Sequence, residues 1–399
     1  MVITDVQKIN EVLTRGVENV LPTRDAFAAL LASGKRLRMY CGFDPTAKSL
    51  HIGHAIQLRK LRQFQDLGHE VIMLIGSFTA MIGDPTDKGA ARVPLTAEEV
   101  KENAKNWKKM ATKFLRFRGE NAALLMRNDK WLAKLTMKEV VDLASNFTVQ
   151  QMMERDMFER RWSEGKPIHL HEFMYPLMQG YDSVAMDVDA EIGGNDQVFN
   201  MLAGRTLLKA VKGKEKFVVA LKLLTNDEGK KMSKSEGGFI AIDDAPEEMY
   251  GKLMAMNDSM IVPYLELVTD ATREEIEEMK AALVSGENPR NAKMRLAKMV
   301  VGQFHGPRDA VKAEKHFVNV FQKKEMPSEM VDFKLTEMMT LADLLVTAKL
   351  AESKSEARRL VEQGGISLDD VKLSDAFAMM VPGTAGVLRR GKRQFVRLI

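Results

Sequence analysis

Along the first half of the chain the apolar positions switch repeatedly between two spacings. Residues 36–43 (RLRMYCGF) read as a buried strand, as do 70–76 (EVIMLIG), 122–128 (AALLMRN), 188–194 (VDAEIGG) and 216–221 (KFVVAL). Between them apolar positions recur every three or four residues, which predicts helices over 52–65, 96–112, 148–164, 168–186 and 195–211. The helix at 96 opens on Thr96 with Glu99 three residues on, a capping box. Strands spaced by helices predict an α/β domain with a Rossmann-like parallel sheet, over residues 1–244.

Strand signals fade from 245 to 325, where helical spacing dominates and predicts a small helical domain. Residues 326–340 read as a linker. The tail, 341–399, begins with LADLLVTAKL; a second helix follows, opened by Ser353 and Glu356 and closed by Gly364-Gly365. Short strands and turns complete a small α+β domain. No internal repeat or low-complexity tract interrupts the pattern.

Composition narrows the function classes. With 399 residues, two or three domains are expected. The content of 45% hydrophobic and 29% charged residues is ordinary for a globular protein. Cys41 is the single cysteine, which excludes an internal disulfide framework and a cysteine-based zinc site and suits a reducing, cytoplasmic location. No apolar run approaches the roughly 18–20 residues of a membrane span. The start, MVITDVQKINEVL, has neither the basic nor the apolar region of a secretory signal. A net charge of +4 permits a polyanionic partner without demanding one. The 28 methionines read as core filler.

The chemistry starts at 51-HIGH-54, where a strand gives way to a helix. Free backbone N–H groups and the helix dipole favour an anion there. Gly53 lets a ligand approach the backbone. His51 and His54, three apart, share one face and can each donate a hydrogen bond to phosphate oxygens as charge develops. A pair of surface histidines is the plainer alternative, and a metal site has no obvious further ligand. A second stretch, 229-GKKMSKSEGG-238, places Lys231 and Lys234 among small residues, where a loop could close on a triphosphate.

HIGH followed by KMSKS resembles the signature pair of the class I aminoacyl-tRNA synthetases. The stretches 40-YCGFDPTAKSLHIGH-54, 83-GDPTDK-88, 175-YPLMQGYD-182, 193-GGNDQ-197 and 288-NPRNAKMRLAK-298 resemble the tyrosyl-tRNA synthetases of bacterial type. The resemblance covers almost the whole chain. It implies an ATP-dependent, AMP-forming ligase that makes tyrosyl-adenylate and passes tyrosine to tRNA(Tyr), with Mg²⁺ carried on ATP.

Site residues follow from the resemblance. Tyr40 and Asp182 would contact the phenol of tyrosine, and a buried polar pair left unpaired by phenylalanine would reject it. Asp84, Tyr175 and Gln179 would hold the ammonium; Tyr175, Gln179 and Asp182 fall on one helical face. Gln197 would contact the carboxylate or the α-phosphate. Thr46, His51 and His54 would surround the phosphates and ribose, with Cys41, Gly42, Asp44, Gly53, Gly194 and Asp196 completing the ATP site. Lys88, Arg92, Lys231 and Lys234 would meet the pyrophosphate. Val198, where relatives often have tryptophan, and Gln57, where many have a smaller residue, depart from the family pattern.

The tail resembles an RNA-binding domain shared with a small ribosomal-subunit protein. Lys354, Arg358 and Arg359 lie on its helix; Arg389, Arg390, Lys392, Arg393 and Arg397 cluster in sequence with no acid among them, which fits phosphate contacts. The helical domain would approach the anticodon stem. The resemblance further implies a homodimer formed through an insertion around 121–175. His169 and His171 read as a loop before the helix carrying Tyr175, and the acidic run 187–191 as a strand end; neither is taken as a metal site. Trp107, Trp131 and Trp162 read as packing residues. Tryptophanyl-tRNA synthetases share the general plan, but Tyr40 and Asp182 suit a phenol better than an indole, whose N–H can only donate. An inactive RNA-binding paralogue would show damage in these motifs, and none is seen.

Overall fold

Six strands form the central sheet of the computed structural model, which describes residues 1–85, 94–225, 240–322, 331–369, 371–391 and 394–399. They are β1 (Val17–Leu21), β2 (Arg38–Phe43), β3 (Glu70–Ile75), β4 (Leu124–Arg127), β5 (Ala190–Gly194) and β6 (Phe217–Leu221), in the order β1-β6-β5-β2-β3-β4. β2 to β6 are mutually parallel, as the alternation of strands and helices requires. β1 departs from expectation: it adds an antiparallel edge by pairing with β6. Its polar Glu18 and Asn19 face solvent, which hides it from a hydrophobic-run reading.

β5 is buried throughout, the condition of a central strand covered on both faces. The helix Ile52–Asp66 follows β2, and the helices Leu170–Met186 and Val198–Lys212 flank β5. The expected helix over 96–112 is two, Ala97–Ala104 and Trp107–Ala111, and that over 148–164 is also two, Val149–Met153 and Asp156–Ser163.

Helices Pro246–Met254, Ile261–Val268, Arg273–Val284 and Pro289–His305 fill the segment expected to be helical. They belong, however, to the same compact unit as the sheet, Met1–Pro307. Arg15 ties them in by donating to the carbonyls of Glu266 at 3.2 Å and Thr269 at 2.8 Å. Arg59 meets Asp270 at 2.5 Å, and Phe114 packs edge-on to Phe304. The division expected at 325 falls instead after Pro307.

The second unit is Arg308–Ile399. The expected linker 326–340 is partly folded into it: β7 (Val331–Phe333) pairs in parallel with β13 (Gln394–Leu398). β7 joins a five-stranded sheet with β9 (Ile366–Leu368), β10 (Val371–Lys372), β12 (Gly386–Arg390) and β13; β8 (Met339–Thr340) and β11 (Met379–Met380) form a separate pair. Helices Leu341–Thr347 and Lys354–Glu362 bury Leu341, Leu344, Leu345, Ala357 and Val361 with Ile366, Leu388, Val396 and Leu398. This is the α+β tail the sequence predicts.

Candidate active site

Strand order fixes where a ligand can sit. The chain moves from β2 to β3 on one side, while β5 flanks β2 on the other. Open parallel sheets bind ligands outside the carboxyl ends of the strands at such a reversal. Here those ends are Phe43 and Gly194, so Asp44, the HIGH turn and the 195–197 turn converge by topology.

The two histidines of HIGH cap their own helix. His51 Nδ1 accepts from the N–H of Gly53 at 3.1 Å, and His54 Nδ1 accepts from the N–H of His51 at 3.1 Å. Their rings stack with centroids 3.7 Å apart. While each Nδ1 accepts, the ring proton is assigned to Nε2, which makes each ring a donor at its outer nitrogen. Gly53 has a more local role than expected: a Cβ there would lie 2.9 Å from the His51 ring. Trp107 supports the turn by donating to the Ala47 carbonyl at 3.2 Å, so it is more than packing. The backbone beyond residue 239 docks on the same turn: the N–H of Ile52 donates to Ile240 at 3.0 Å, and that of Ile242 to Leu50 at 2.8 Å. Thr46 is exposed in the loop between β2 and this helix.

The expected phenol pocket is buried. Tyr40 and Asp182 are 1% and 2% exposed. Asp182 accepts from Trp131 Nε1 at 2.7 Å and from Asn128 Nδ2 at 3.2 Å. Burial raises the Asp182 carboxyl well above its ordinary value, against these two bonds, which favour its ionised form. Burial likewise raises Tyr40, helped by the charges of Glu191 and Asp182. The Tyr40 hydroxyl is hydrogen-bonded to Ser183 Oγ at 2.9 Å.

The three residues expected around the ammonium are each held by a different partner. Tyr175 donates to Asp44 at 2.8 Å, and Asp44 also accepts from Thr79 at 2.7 Å. Gln197 donates to Asp84 at 2.8 Å, and Arg155 lies 3.5 Å from the same carboxylate. Gln179 donates to Glu191 at 2.9 Å. Asp44 and Tyr175, assigned to different substrates, are thus directly joined. Cys41 lies buried with Sγ 3.6 Å from Gln57 Oε1, which gives the unusual Gln57 a neighbour, and burial raises the thiol. Gly194 leaves room for Asp196, whose carboxylate would collide with a Cβ there. Gly42 is exposed at the end of β2. Lys88, Arg92, Lys231 and Lys234 lie outside the described residues.

Sequence reasoning missed Asn128, Trp131, Arg155, Glu191 and Lys216. Trp131 is a hydrogen-bond donor to Asp182, so reading it as packing alone needs correcting. Trp162 is 72% exposed, so it is not the core packing residue expected. Glu191 carried the one signal: a glutamate inside a wholly buried strand needs a partner, and Lys216 is that partner. His169 caps the helix Leu170–Met186, and His171 lies in its first turn rather than in a loop. Among the described residues no group of three His, Cys, Asp or Glu side chains could hold a metal ion, and no helix is long and apolar enough to cross a membrane.

In the tail, acids from elsewhere in the fold meet the basic residues. Lys354 pairs with Asp343 at 2.5 Å, Arg397 with Asp332 at 3.5 Å, and Arg390 with Glu356 at 2.7 Å. Arg390 also donates to the Leu350 carbonyl, so it braces the fold. Arg358 covers the ring of Phe377 at 4.8 Å, and Arg389 that of Phe395 at 5.8 Å. Arg359 is exposed, and Lys392 and Arg393 lie outside the described residues.

Residues 32–322 match the family of class I tRNA synthetases (W and Y), and 318–398 the SYY-like C-terminal domain of tyrosine–tRNA ligases. The chain is 45% identical over 387 residues to tyrosine–tRNA ligase 2 of Vibrio cholerae, covering 97% of both. It is 45% identical over 390 residues to the tyrosine–tRNA ligase of Thermotoga maritima, covering 97% of this chain and 96% of the relative. Among solved structures, a C-terminally truncated mitochondrial tyrosyl-tRNA synthetase of Coccidioides posadasii matches with a TM-score of 0.62 and 27% identity, over 78% of this chain and 90% of that one. By both family models and by full-length similarity, the chain belongs to the tyrosine–tRNA ligases of the class I tRNA synthetase family.

Proposed function

We propose that this chain activates L-tyrosine with ATP, forming tyrosyl-adenylate and pyrophosphate, and then transfers tyrosine to the 3′-terminal ribose of tRNA(Tyr). The observation that carries the reading is the buried Asp182. Its bonds to Trp131 and Asn128 use two of the roughly four acceptor positions of a carboxylate. A phenol O–H can take another, beside the hydroxyl of Tyr40. Phenylalanine would bury that remaining acceptor position without a hydrogen bond.

In the first step the tyrosine carboxylate attacks the α-phosphorus and the bond to pyrophosphate breaks. The carboxylate is already ionised near neutral pH, so no side chain need serve as general base. His51 and His54, with protons at Nε2, stabilise charge developing on the phosphoryl oxygens, together with the helix N-terminus. In the second step a ribose hydroxyl of tRNA attacks the adenylate carbonyl and AMP leaves. Mg²⁺ arrives on the triphosphate. Lys88, Arg92, Lys231 and Lys234 neutralise the pyrophosphate, a role that rests on resemblance. Asp84, Tyr175 and Gln179 hold the ammonium, and Asp196 and Gln197 the ribose and carboxylate. The 341–399 domain contacts tRNA through Arg358, Arg359, Arg389 and its other basic residues, and the cytoplasm is the site of action.

The chain acts as a homodimer in this proposal. Met137 (79%), Trp162 (72%) and Leu170 (81%) are large, apolar and exposed, and all lie in the 121–175 insertion. A second copy burying them fits such a concentration. Sedimentation should give a dimer that Met137→Lys weakens; a monomeric parent protein would sink this part.

The deciding experiment is ATP–pyrophosphate exchange without tRNA. Exchange with tyrosine but not with phenylalanine or tryptophan is expected. Exchange with another amino acid would overturn the roles of Tyr40 and Asp182, and none with any would overturn the activity.

A further inference from the structure

Behind the tyrosine pocket lies a buried charge pair that the mechanism above does not use. Glu191, on β5, and Lys216, just before β6, form an ion pair at 2% and 0% exposure. Each reaches a pocket residue. Glu191 Oε1 accepts from Gln179 Nε2 at 2.9 Å. Lys216 Nζ donates to Ser183 Oγ at 2.9 Å, and Ser183 Oγ is bonded to the Tyr40 hydroxyl at 2.9 Å. Gly204, on the helix Val198–Lys212, makes the space: a Cβ there would collide with Lys216 Nζ and lie 2.7 Å from Ser183 Oγ.

We propose that the Glu191–Lys216 pair positions the pocket for tyrosine, fixing which atoms Gln179 and Tyr40 present to the substrate. The inference rests on the reading of Tyr40, Gln179 and Asp182 as the tyrosine pocket. Stability alone is a weak reason for such a pair, since well-packed apolar residues of similar volume often serve as well. Its chemistry is directional instead. A carboxylate only accepts, so Glu191 takes the NH₂ of Gln179. Gln179 keeps its carbonyl oxygen to offer, which is the group an ammonium needs. An ammonium only donates, so Ser183 Oγ accepts from Lys216 and keeps its single proton available for Tyr40. The Tyr40 hydroxyl, bonded to both Ser183 and Glu191, is held by the pair from two sides, while Asp182 can accept a hydrogen bond from the phenol O–H. Donor and acceptor are thereby assigned at Gln179, and the orientation of the Tyr40 hydroxyl is fixed at the other end of the substrate.

Steady-state pyrophosphate exchange with tyrosine and ATP varied separately tests this, normalised to folded protein by active-site titration. Glu191→Gln can donate as well as accept, so it frees the Gln179 amide to flip. We expect the KM for tyrosine to rise about tenfold or more, with the KM for ATP unchanged and kcat within about threefold. Discrimination against phenylalanine should narrow in parallel. The double variant E191Q/K216M leaves no lone buried charge and should show the same split, and Ser183→Ala should raise the tyrosine KM through Tyr40 alone. If Glu191→Gln does not fold, these two variants decide. An unchanged tyrosine KM in the double variant and in Ser183→Ala would overturn the proposal, as would equal changes in the KM for tyrosine and ATP. Wild-type protein lacking tyrosine-dependent exchange would instead overturn the activity reading, so the two failures are distinguishable.

Discussion

The two halves of the active site are built on opposite plans. On the tyrosine side, Tyr40, Asp182, Ser183 and Glu191 are buried, and each is hydrogen-bonded to a neighbour before any substrate arrives. On the ATP side, the first N–H groups of the HIGH helix are already taken by Ile240 and His51, and the described donors are two stacked, partly exposed imidazoles. The first plan suits discrimination, because a wrong ligand strands buried polar groups. The second suits charge neutralisation, where field and proximity matter more than one fixed hydrogen bond. Substitutions should therefore separate: tyrosine-side changes in the tyrosine KM and specificity, ATP-side changes in kcat.

The sharpest test of that separation is His54→Ala. It removes one outer N–H and one cap, and kcat for exchange should fall about 10²–10³-fold, the usual loss of a transition-state donor. The KM for tyrosine should stay unchanged; a large rise would erase the distinction between the halves. Asp182→Ala should act from the other side. Losing a hydrogen bond to a charged group, about 1.5–3 kcal/mol, predicts a fall of about 10- to 150-fold in kcat/KM for tyrosine. The KM for ATP should not move. Trp131→Phe keeps the ring and deletes the donor to Asp182. A neutral donor to a carboxylate predicts about a tenfold loss in tyrosine kcat/KM, and no loss would return Trp131 to the packing role that its sequence context suggests.

The remaining prediction lies outside the site and touches stability rather than catalysis. His69 is buried, and its Nδ1 accepts from the N–H of Leu37 at 3.3 Å. Burial lowers it to about 4, with Asp189 opposing and Arg36 assisting the shift. The folded state then favours neutral imidazole, while the unfolded chain takes a proton near 6.5. Its contribution to stability is complete above pH 6.5 and is lost as the pH falls toward 4, by at most about 3 kcal/mol. Denaturant melts of wild type and His69→Gln across that window should diverge by that slope. Parallel curves would show that His69 does not carry it.

The turn of the ATP half was legible in the sequence, whereas the partners that hold the tyrosine-side residues were not, for the same physical reason. HIGH is a local device: its capping bonds span two and three residues, so a short string encodes it. β2, β3, β5 and β6 were equally readable, because buried parallel strands are continuous apolar runs. Asp182, by contrast, is held from Asn128 and Trp131, some fifty residues earlier, and Tyr40 from Ser183. No periodicity reports a partner at that distance. β1 was missed because an edge strand with polar outward positions looks like a loop. The tail's basic cluster looked acid-free because Asp332, Asp343 and Glu356 reach it only through tertiary contact.

The backbone bonds between Ile52 and Ile240 and between Leu50 and Ile242 set an order of assembly during synthesis. About 190 residues must leave the ribosome after the HIGH turn before that turn gains these two bonds. Contacts of such separation close late because the loop entropy must first be overcome. The nascent chain can thus order β2 and β3 early while the start of its HIGH helix is still incomplete. The finished turn becomes a property of the whole domain, and protection of the Ile52 amide from hydrogen exchange would mark the moment it is acquired.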